Sequence, residues 1–510
     1  QGAGNGKTYG IWKSIAENSD RKTYIIVSKQ HSATNVIYEE LKDQKERFEN
    51  GEEVYHIENL TDVTEKNTEK HFVIKYTHKQ SKRECMVIIG TIDSFCYNLS
   101  NSTVKGSRFF EGIVDNIKDK GPTKINNGYM KFGGQSIQLG KESEVCIDEV
   151  QDLPENYLHA MIKLMYETNC YMNVVGDKLQ SLEFTHNFLT EIMDEGLPNI
   201  EIIKKNAINQ NRRIKVTNMG DRINKLINFH DHKYKGNILP KIECYGELKE
   251  NKKPIEIIKS PTIYANDPDN NKVNTFCDDV FEKYKYEVET NKYSPNDFLI
   301  IFPIMKNNVI APELQSKIQE YWLEKESSQN DKYTQYVFIH KHTAGTVINT
   351  KDSINATRIM SIRSSKGDGR KVVFILGVTE TSLKLVSNKE TGLVYESHLH
   401  VSLTRAKNQI YFGLVENNDD IHERFAKEDY VEYLPKISKK VNLDKINELI
   451  DKENIIELLN DNDININNII KEETKIKQSE TVDWGYHCIK YHTYYYQVIL
   501  NIINNKQTNK

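Results

Sequence analysis

Residues 1–15 read QGAGNGKTYGIWKSI, and this glycine-rich stretch predicts a phosphate-binding loop that leads into a helix. Glycines allow a tight turn in which successive backbone N–H groups converge on phosphate oxygens at a helix N-terminus. A lysine then reaches the β- and γ-phosphates, and the next hydroxyl is a ligand for Mg²⁺. The predicted nucleotide contacts of this loop are Gly2, Ala3, Gly4, Asn5, Gly6, Lys7 and Thr8, with Thr8 also at the metal.

The residues after the loop have the spacing of a helix, since Ile11 and Ile15 lie four apart as on a buried face. Gln1 stands where such loops usually carry a glycine. No strand precedes the loop and no initiator Met is present. We therefore expect the first core strand to lie upstream of residue 1 in a longer chain. A glycine-rich loop formed by chance is the alternative for this stretch alone.

The rest of the first half alternates apolar runs with helical patterns, which predicts an open α/β sheet whose ligands bind at the carboxyl edge of its strands. The predicted strands are KTYIIVS (22–28) and YMNVVGD (171–177), and the predicted helices are ATNVIYEELK (33–42) and ENYLHAMIKLMYET (155–168). CMVIIGTIDSF (85–95) and SEVCIDEVQDL (143–153) are further apolar runs that end in polar residues.

Two of these apolar runs end in residues suited to phosphate chemistry. Asp148 follows an apolar run and is placed to hold Mg²⁺ through water, while Glu149 is placed to activate the water that attacks a γ-phosphate. Gln180 follows the next strand and can touch the γ-phosphate while its loop faces another ligand. An ordinary acidic loop is the alternative interpretation of the Asp-Glu pair.

Basic patterns mark the second half. Paired arginines stand at the start of a predicted helix in 209–229, and a basic, glycine-containing loop separates two predicted strands in 358–378. In 398–414, Thr404 and Arg405 stand where one strand-like run passes into another. Each basic group is either a phosphate ligand or a solvated surface charge. The order in which these basic groups occur along the chain favours their interpretation as phosphate ligands.

Composition excludes some classes of protein. Charged residues make up 28% of the 510 residues, and mean hydropathy is −0.64. The most apolar runs, 298–305 and 372–378, are much shorter than the roughly 20 residues of a spanning helix. We therefore expect a soluble intracellular protein of the cytoplasm or nucleus, with no membrane partner.

The seven cysteines form no CxxC pair, which argues against a zinc or iron–sulfur site. With a net charge of −4, any nucleic acid must be bound locally, in a groove.

In their order, these motifs resemble those of the UvrD/Rep/PcrA-like branch of the superfamily 1 DNA helicases, over roughly residues 1–415. GAGNGKT is similar to motif I, VSKQHSA to Ia, GTIDSF to the next DNA-contacting motif, IDEVQD to II and VGDKLQS to III. NQNRR is similar to motif IV, SIRSSKG to V and VSLTRAK to VI. Eight matches in the family's order are specific as a set.

The resemblance implies two RecA-like P-loop domains with parallel sheets, at 1–205 and 206–430, and a helical, low-complexity extension at 431–510. ATP and Mg²⁺ would lie in the cleft between the domains. The implied catalytic residues are Glu149, Gln180, Arg213 and Arg405, with Asp148 at the metal and with Arg212 and Gly367 at the nucleotide. The two catalytic arginines would stabilise charge on the γ-phosphate when the cleft closes. The implied nucleic-acid contacts are Thr91, Ser94, Phe184, Arg363 and Ser364.

The implied activity is ATP hydrolysis coupled to 3′→5′ movement on single-stranded or partly duplex DNA, with replication or repair proteins as further candidate partners. A nucleotide-gated DNA-binding clamp that hydrolyses ATP slowly, without unwinding, is the alternative. An RNA helicase is a weaker alternative, because nothing in the sequence indicates recognition of a 2′-hydroxyl.

Several positions depart from the family's pattern. Arg212 stands where an aromatic usually stacks on adenine, Gly369 where a Glu lies near the ribose, and Arg363 where a His is usual. Ser28 replaces an aromatic that stacks on a DNA base, and Phe184 stands one position out of register. Since stacking contributes about 1–3 kcal/mol per base, these losses would weaken the grip or shift it to phosphate contacts, and they favour the clamp.

Three further regions carry predictions. About 150 residues separate Arg213 from Lys366, too few for the family's large second-domain insertion, which we expect to be absent or vestigial. The segment 97–143 is a candidate for the smaller first-domain insertion. Its VKGSRFF and YMKFGG mix basic and aromatic residues, as a single-strand-binding surface would; an ordinary solvated excursion is the alternative. In the extension, 442–463 and 482–503 have helix-like patterns.

Overall fold

The structure is a computed structural model of the chain. It describes residues 6–18, 20–49, 57–64, 71–183, 187–189, 192, 210–211, 213–227, 242–244, 253–262, 270–326, 334–340, 351–387 and 393–431. The chain forms two compact units, Gln1–Phe425 and Ala426–Lys510. Of the second unit only residues 426–431 are described, so the helix-like patterns predicted at 442–463 and 482–503 lie outside the described residues.

The first sheet has six strands in the order β2-β3-β4-β1-β7-β8. Strands β4, β1, β7 and β8 are parallel to one another, and β2 and β3 extend the sheet as antiparallel strands. The strands are β1 (Thr23–Ser28), β2 (Ile57–Asp62), β3 (Phe72–His78), β4 (Glu84–Thr91), β7 (Ser143–Ile147) and β8 (Tyr171–Val174). A separate antiparallel hairpin consists of β5 (Tyr129–Phe132) and β6 (Gln135–Gln138).

The second sheet also has six strands, in the order β11-β16-β15-β12-β14-β13, and every pairing in it is parallel. The strands are β11 (Ile255–Ser260), β12 (Phe298–Phe302), β13 (Val337–Ile339), β14 (Thr357–Ser361), β15 (Arg370–Ile375) and β16 (Ala406–Val415). A short parallel pair, β9 (Gln210–Asn211) and β10 (Glu243–Cys244), lies outside both sheets.

Helices connect the strands of both sheets, as parallel strands require. The described helices are α1 (Lys7–Glu17), α2 (His31–Glu49), α3 (Ile92–Leu99), α4 (Phe109–Lys120), α5 (Glu155–Thr168), α6 (Thr217–Leu226), α7 (Asn270–Asn291), α8 (Ile310–Lys325), α9 (Glu380–Val386), α10 (Leu393–Leu403) and α11 (Asp420–Val431). Among the described residues, none of these helices is long and apolar enough to cross a bilayer.

Alternate residues of β1 enter two different cores, because side chains of a strand point to opposite faces. Ile25 and Val27 pack with α3, α4 and α5, while Tyr24 and Ile26 pack with α1 and α2. Both faces of the first sheet are therefore covered, which explains why β1 reads as one continuous apolar run. The predicted mixed α/β fold with parallel sheets is confirmed.

Most predicted elements are confirmed. The patterns at 22–28, 33–42 and 155–168 correspond to β1, α2 and α5, and the basic loop at 363–369 does separate two strands. One prediction was wrong. The run HLHVSL (398–403) was expected to be strand-like, but it is the second half of α10. Residues 394–403 are all buried, and a helix buried on every side has no amphipathic stripe to distinguish it from a strand.

Candidate functional site

A cleft of about 670 Å³ is lined by residues attached to both sheets. On one side lie the start of α1 and the residues that follow β7 and β8. On the other lie the segments that directly precede β15 and β16, together with the residues after β9. Nine residues predicted to bind or hydrolyse nucleotide line this cleft: Gly6, Lys7, Thr8, Asp148, Glu149, Gln180, Arg213, Gly367 and Arg405. Gly2, Ala3, Gly4, Asn5 and Arg212 lie outside the described residues.

Lys7 begins α1, and its ammonium group lies in the cleft. Gly6 before it has φ 79°, a left-handed conformation that suits glycine. The Gly6 carbonyl accepts the N–H of Gly10 at 2.8 Å, so the helix starts directly at the lysine. Lys7 Nζ lies 3.4 Å from a carboxylate oxygen of Glu149, and the lysine is 8% exposed. The cation is thus held in the cleft by an internal acid.

Asp148 and Glu149 follow β7 at the carboxyl edge of the first sheet. The Asp148 N–H donates to the Val27 carbonyl at 2.8 Å, and the Asp148 carboxylate accepts the Glu149 N–H at 2.9 Å. Glu149 has φ 56°, an uncommon conformation for a residue with a side chain. Burial, and after it the charge of Glu149, raises the pKa of Asp148 to about 7. At Glu149 burial acts in the same direction, but Lys7 and Lys366 outweigh it and hold the pKa below its usual range.

Gln180 connects the first sheet to Arg405. It ends a short 3₁₀ helix (Lys178–Gln180) after β8, and its amide donates to Asp177 at 2.6 Å. An N–H of Arg405 donates to the Gln180 side-chain oxygen at 3.3 Å. Arg405 is 1% exposed, and its Nε donates to the Val401 carbonyl at 3.0 Å. Burial, with a smaller contribution from Arg213, lowers the pKa of Arg405. Two arginines in one cleft repel each other unless an anion lies between them.

Arg213 reaches the cleft across Gly369. Its guanidinium donates to the Thr404 carbonyl at 3.3 Å. A Cβ atom built at Gly369 would lie 2.9 Å from both Cδ and Nε of Arg213. The glycine at 369 therefore leaves room for Arg213. The predicted helix after the paired arginines begins at Thr217, so Arg213 precedes it by four residues.

Lys366, in the loop before β15, makes a short polar link between the two sheets. Its Nζ lies 2.6 Å from both carboxylate oxygens of Asp152 and donates to the Gln180 carbonyl at 3.0 Å. At Asp152 burial outweighs the ion pair and raises the pKa to about 6. At Lys366 burial acts to lower the pKa, but Asp152 and Glu149 raise it overall. Both groups are therefore charged at neutral pH.

Sequence reasoning missed several residues of the cleft. Lys215, Lys407, Tyr9 and Glu40 also line it. Lys407 is the second residue of β16, and Arg405 directly precedes that strand. Because residues two apart on a strand point to the same side, the sequence could have indicated that Lys407 lies on the same side as Arg405. Lys215 lies beside it, since its N–H donates to the Lys407 carbonyl at 2.7 Å. With Lys7, Arg213 and Arg405, these lysines surround the cleft with positive charge.

Neither a protein-family model nor a curated protein matches this chain. Function is therefore inferred from the cleft itself. In the described part of the chain, no group of three or more His, Cys, Asp and Glu side chains is arranged to hold a metal ion. Thr8 and Asp148 nevertheless fit Mg²⁺, which takes one or two protein ligands and completes its shell with phosphates and water.

The predicted nucleic-acid residues have local partners. Thr91 caps α3 by accepting the Ser94 N–H at 3.3 Å, and the Ser94 hydroxyl contacts His71 Nε2 at 2.8 Å. Ser364 contacts Ser361 at 2.8 Å, and Arg363 pairs with Glu183 at 3.1 Å. Phe184 lies outside the described residues. Their contacts with nucleic acid stay a prediction.

Proposed function

We propose that the chain is an ATP- and Mg²⁺-dependent motor of the superfamily 1 helicase type that moves along single-stranded DNA. The observation that carries this proposal is that nine predicted nucleotide-site residues, from position 6 to position 405, line one cleft. In the proposal, the two sheets are the cores of two RecA-like domains with ATP between them. The domain boundaries, the missing second-domain insertion and the 3′→5′ direction stay predictions.

The cleft residues are suited to phosphoryl transfer. Lys7 would exchange Glu149 for the β- and γ-phosphates, which frees the Glu149 carboxylate to orient and deprotonate a water molecule. Lys366 Nζ, 3.6 Å from Glu149, also lowers the pKa of this carboxylate and would help to keep it ionised, as a base must be, once Lys7 binds phosphate. Mg²⁺ held by Thr8 and Asp148 would neutralise charge on the phosphate oxygens. Arg213 and Arg405 would stabilise the charge that develops on the transferred group.

Contacts between the sheets give a route from hydrolysis to movement. Arg405 donates a hydrogen bond to the Gln180 side chain. Lys366 pairs with Asp152 and donates to the Gln180 carbonyl. Each contact joins a residue that follows a strand of the first sheet to a basic residue attached to the second sheet. A change of charge in the cleft alters the strength of these contacts. We infer that the two sheets separate and approach as nucleotide is bound and released.

One observation favours the clamp as the second candidate. Thr91, Ser94, Arg363 and Ser364 all make hydrogen bonds or ion pairs within the protein. Residues held in this way position a bound strand weakly unless those contacts are exchanged. A clamp would bind DNA in a nucleotide-dependent manner but would not move along it.

A streptavidin-displacement assay separates the two functions. The protein is added with ATP to single-stranded oligonucleotides that carry biotin–streptavidin at either the 5′ or the 3′ end. A 3′→5′ motor displaces streptavidin from the 5′ end only, and a non-hydrolysable ATP analogue abolishes the displacement. DNA binding that depends on nucleotide but displaces streptavidin from neither end would overturn the motor and support the clamp.

A further inference from the structure

An exposed group of aromatic and basic side chains lies on α3 and α4, separate from the cleft. Tyr97 on α3 is 49% exposed, and Phe110 on α4 is 42% exposed. Phe109 lies between them, with its ring centroid 6.3 Å from that of Tyr97 and 5.4 Å from that of Phe110. We call these three rings the aromatic ledge. Large apolar rings are usually buried, so two adjacent exposed rings point to a ligand.

Basic side chains surround the aromatic ledge. Lys124 Nζ lies 4.2 Å from the centre of the Tyr97 ring, and it also donates to the Tyr97 carbonyl. Lys105 and Arg108, in the segment that leads into α4, are both exposed. Of the nearby acids, Glu111 pairs with Arg108 at 2.8 Å, Asp93 pairs with Lys29 at 3.1 Å, and Asp115 accepts from Asn156 at 3.4 Å. Lys105, Arg108 and Lys124 outnumber Glu111 and Asp115, which leaves one net positive charge beside the rings.

The loop that leads to Lys105 and Arg108 is held against α4. A Cβ atom at Gly112 would lie 2.6 Å from Ser102 Oγ and 2.8 Å from a methyl carbon of Val104, so this glycine lets the loop lie against the helix. Ser102 Oγ also donates to the Val104 carbonyl at 2.9 Å. Asn116 on α4 donates to Ser100 Oγ at 2.9 Å and to the Asn101 carbonyl at 2.8 Å. The loop beside the aromatic ledge is therefore fixed before a ligand binds, which reduces the entropy lost on binding.

We propose that the aromatic ledge binds single-stranded nucleic acid, with bases stacked on Tyr97 and Phe110 and phosphates near Lys105, Arg108 and Lys124. Exposed rings beside lysine and arginine are the features by which proteins hold single strands without sequence preference. Protein interfaces, by contrast, are depleted of lysine. Ser94, a predicted nucleic-acid contact, lies three residues before Tyr97 on α3, so the two share a helix face.

This inference deepens the proposed function, since its choice of nucleic acid as the partner rests in part on that proposal. Stacking on the aromatic ledge would also take the place of the stacking on a DNA base that an aromatic residue provides in the helicases, where this chain has Ser28. In this account the strand is held by rings in segment 97–143 rather than by an aromatic residue at the end of β1.

Binding of a fluorescein-labelled oligo(dT) strand, measured by fluorescence anisotropy without nucleotide, tests the inference. Loss of one stacked base should weaken binding about fivefold or more. We expect that weakening for Phe110→Ala, for Tyr97→Ala and for Tyr97→Leu, which keeps an apolar side chain but has no ring. Tyr97→Phe keeps the ring and should bind as the unaltered protein does. Tyr286→Ala is the matched control, because this tyrosine is 50% exposed and lies on α7, which packs in the core of the second sheet.

Lys105→Ala should weaken binding less and should reduce its dependence on salt, since it removes one phosphate contact. The inference is overturned if the ring-deleting variants and the unaltered protein bind within twofold of one another, or if the unaltered protein does not bind the strand. Since the assay requires no hydrolysis, ring-dependent binding by a protein that lacks ATPase activity would sink the motor and leave this inference standing. DNA-stimulated ATPase activity with ring-independent binding would support the motor and overturn this inference.

Discussion

Lys366 Nζ lies 2.6 Å from both carboxylate oxygens of Asp152, although 214 positions separate the two residues in the chain. The lysine extends from the loop before β15, and the aspartate follows β7, so the ion pair joins the second sheet to the first. Both side chains are at least nine-tenths buried. A buried pair of this kind stabilises the arrangement of the two sheets chiefly because neither charge can be left alone.

We predict that Lys366→Met destabilises the protein by about 3–5 kcal/mol, because it leaves the Asp152 carboxylate buried without its cation. The double variant Lys366→Met, Asp152→Asn should lose less than the sum of the two single variants. Urea unfolding at pH 7.5 measures the free energy of unfolding for all four proteins.

Lys82→Met is the control for this cycle, because Lys82 pairs with Glu58 on the surface with its side chain 68% exposed. An exposed pair contributes about 0–1 kcal/mol, so this variant should change stability little. If the Lys366 and Asp152 substitutions are additive, the two groups do not interact as the structure indicates.

We predict that Gly369→Ala lowers the kcat of ATP hydrolysis at least about tenfold, because the new methyl group displaces the guanidinium of Arg213 and such arginines contribute 10³–10⁵ to kcat. Stability should change little, since the atoms it meets are at the flexible end of a side chain. Steady-state ATPase assays and thermal unfolding measure the two effects. Gly140→Ala is the matched control, because a Cβ atom there meets nothing closer than 3.8 Å. Unchanged turnover in Gly369→Ala would mean that Arg213 does not act at the γ-phosphate.

We predict that stability falls in acid through His398 of α10. Burial lowers the pKa of His398 to about 4, and its neutral ring donates from Nδ1 to the Val394 carbonyl at 2.9 Å. Because the folded pKa lies below the ordinary value of 6.5, the stabilisation is complete above pH 6.5 and is lost as pH falls toward 4. Between those pH values the protein should lose roughly 3 kcal/mol relative to His398→Asn.

Urea unfolding of both proteins at several pH values from 4 to 8 measures this difference. His400 has a similarly low pKa of about 4, also caused by burial, but it is present in both proteins and cancels. A difference in stability that does not vary with pH would show that His398 is not held in its neutral form.

Local sequence patterns predicted much of the fold and the positions of the site residues along the strands. Particular residues show what such patterns could not predict. The ends of β7 and β8 could be predicted because an apolar run gives way to Asp148 and to Asp177. The helix α10 could not, because its sequence lacks a polar face. The pairing of Lys366 with Asp152 and the passage of Arg213 over Gly369 could not either. Both depend on which segments meet in three dimensions, and nothing in the spacing of residues indicates that choice.

The proposal that residues of both sheets form one catalytic site is tested by steady-state ATPase activity with and without single-stranded DNA. The proteins compared are the unaltered protein, Lys7→Ala, Arg405→Ala and the control Lys259→Ala, whose side chain is 85% exposed. We expect strong stimulation by DNA in the unaltered protein and in Lys259→Ala. Lys7→Ala should lose nucleotide binding and hydrolysis together. Arg405→Ala should keep nucleotide binding and lose at least about 10³-fold in kcat. Hydrolysis in Arg405→Ala at the rate of the unaltered protein would contradict the claim that residues of both sheets form one catalytic site.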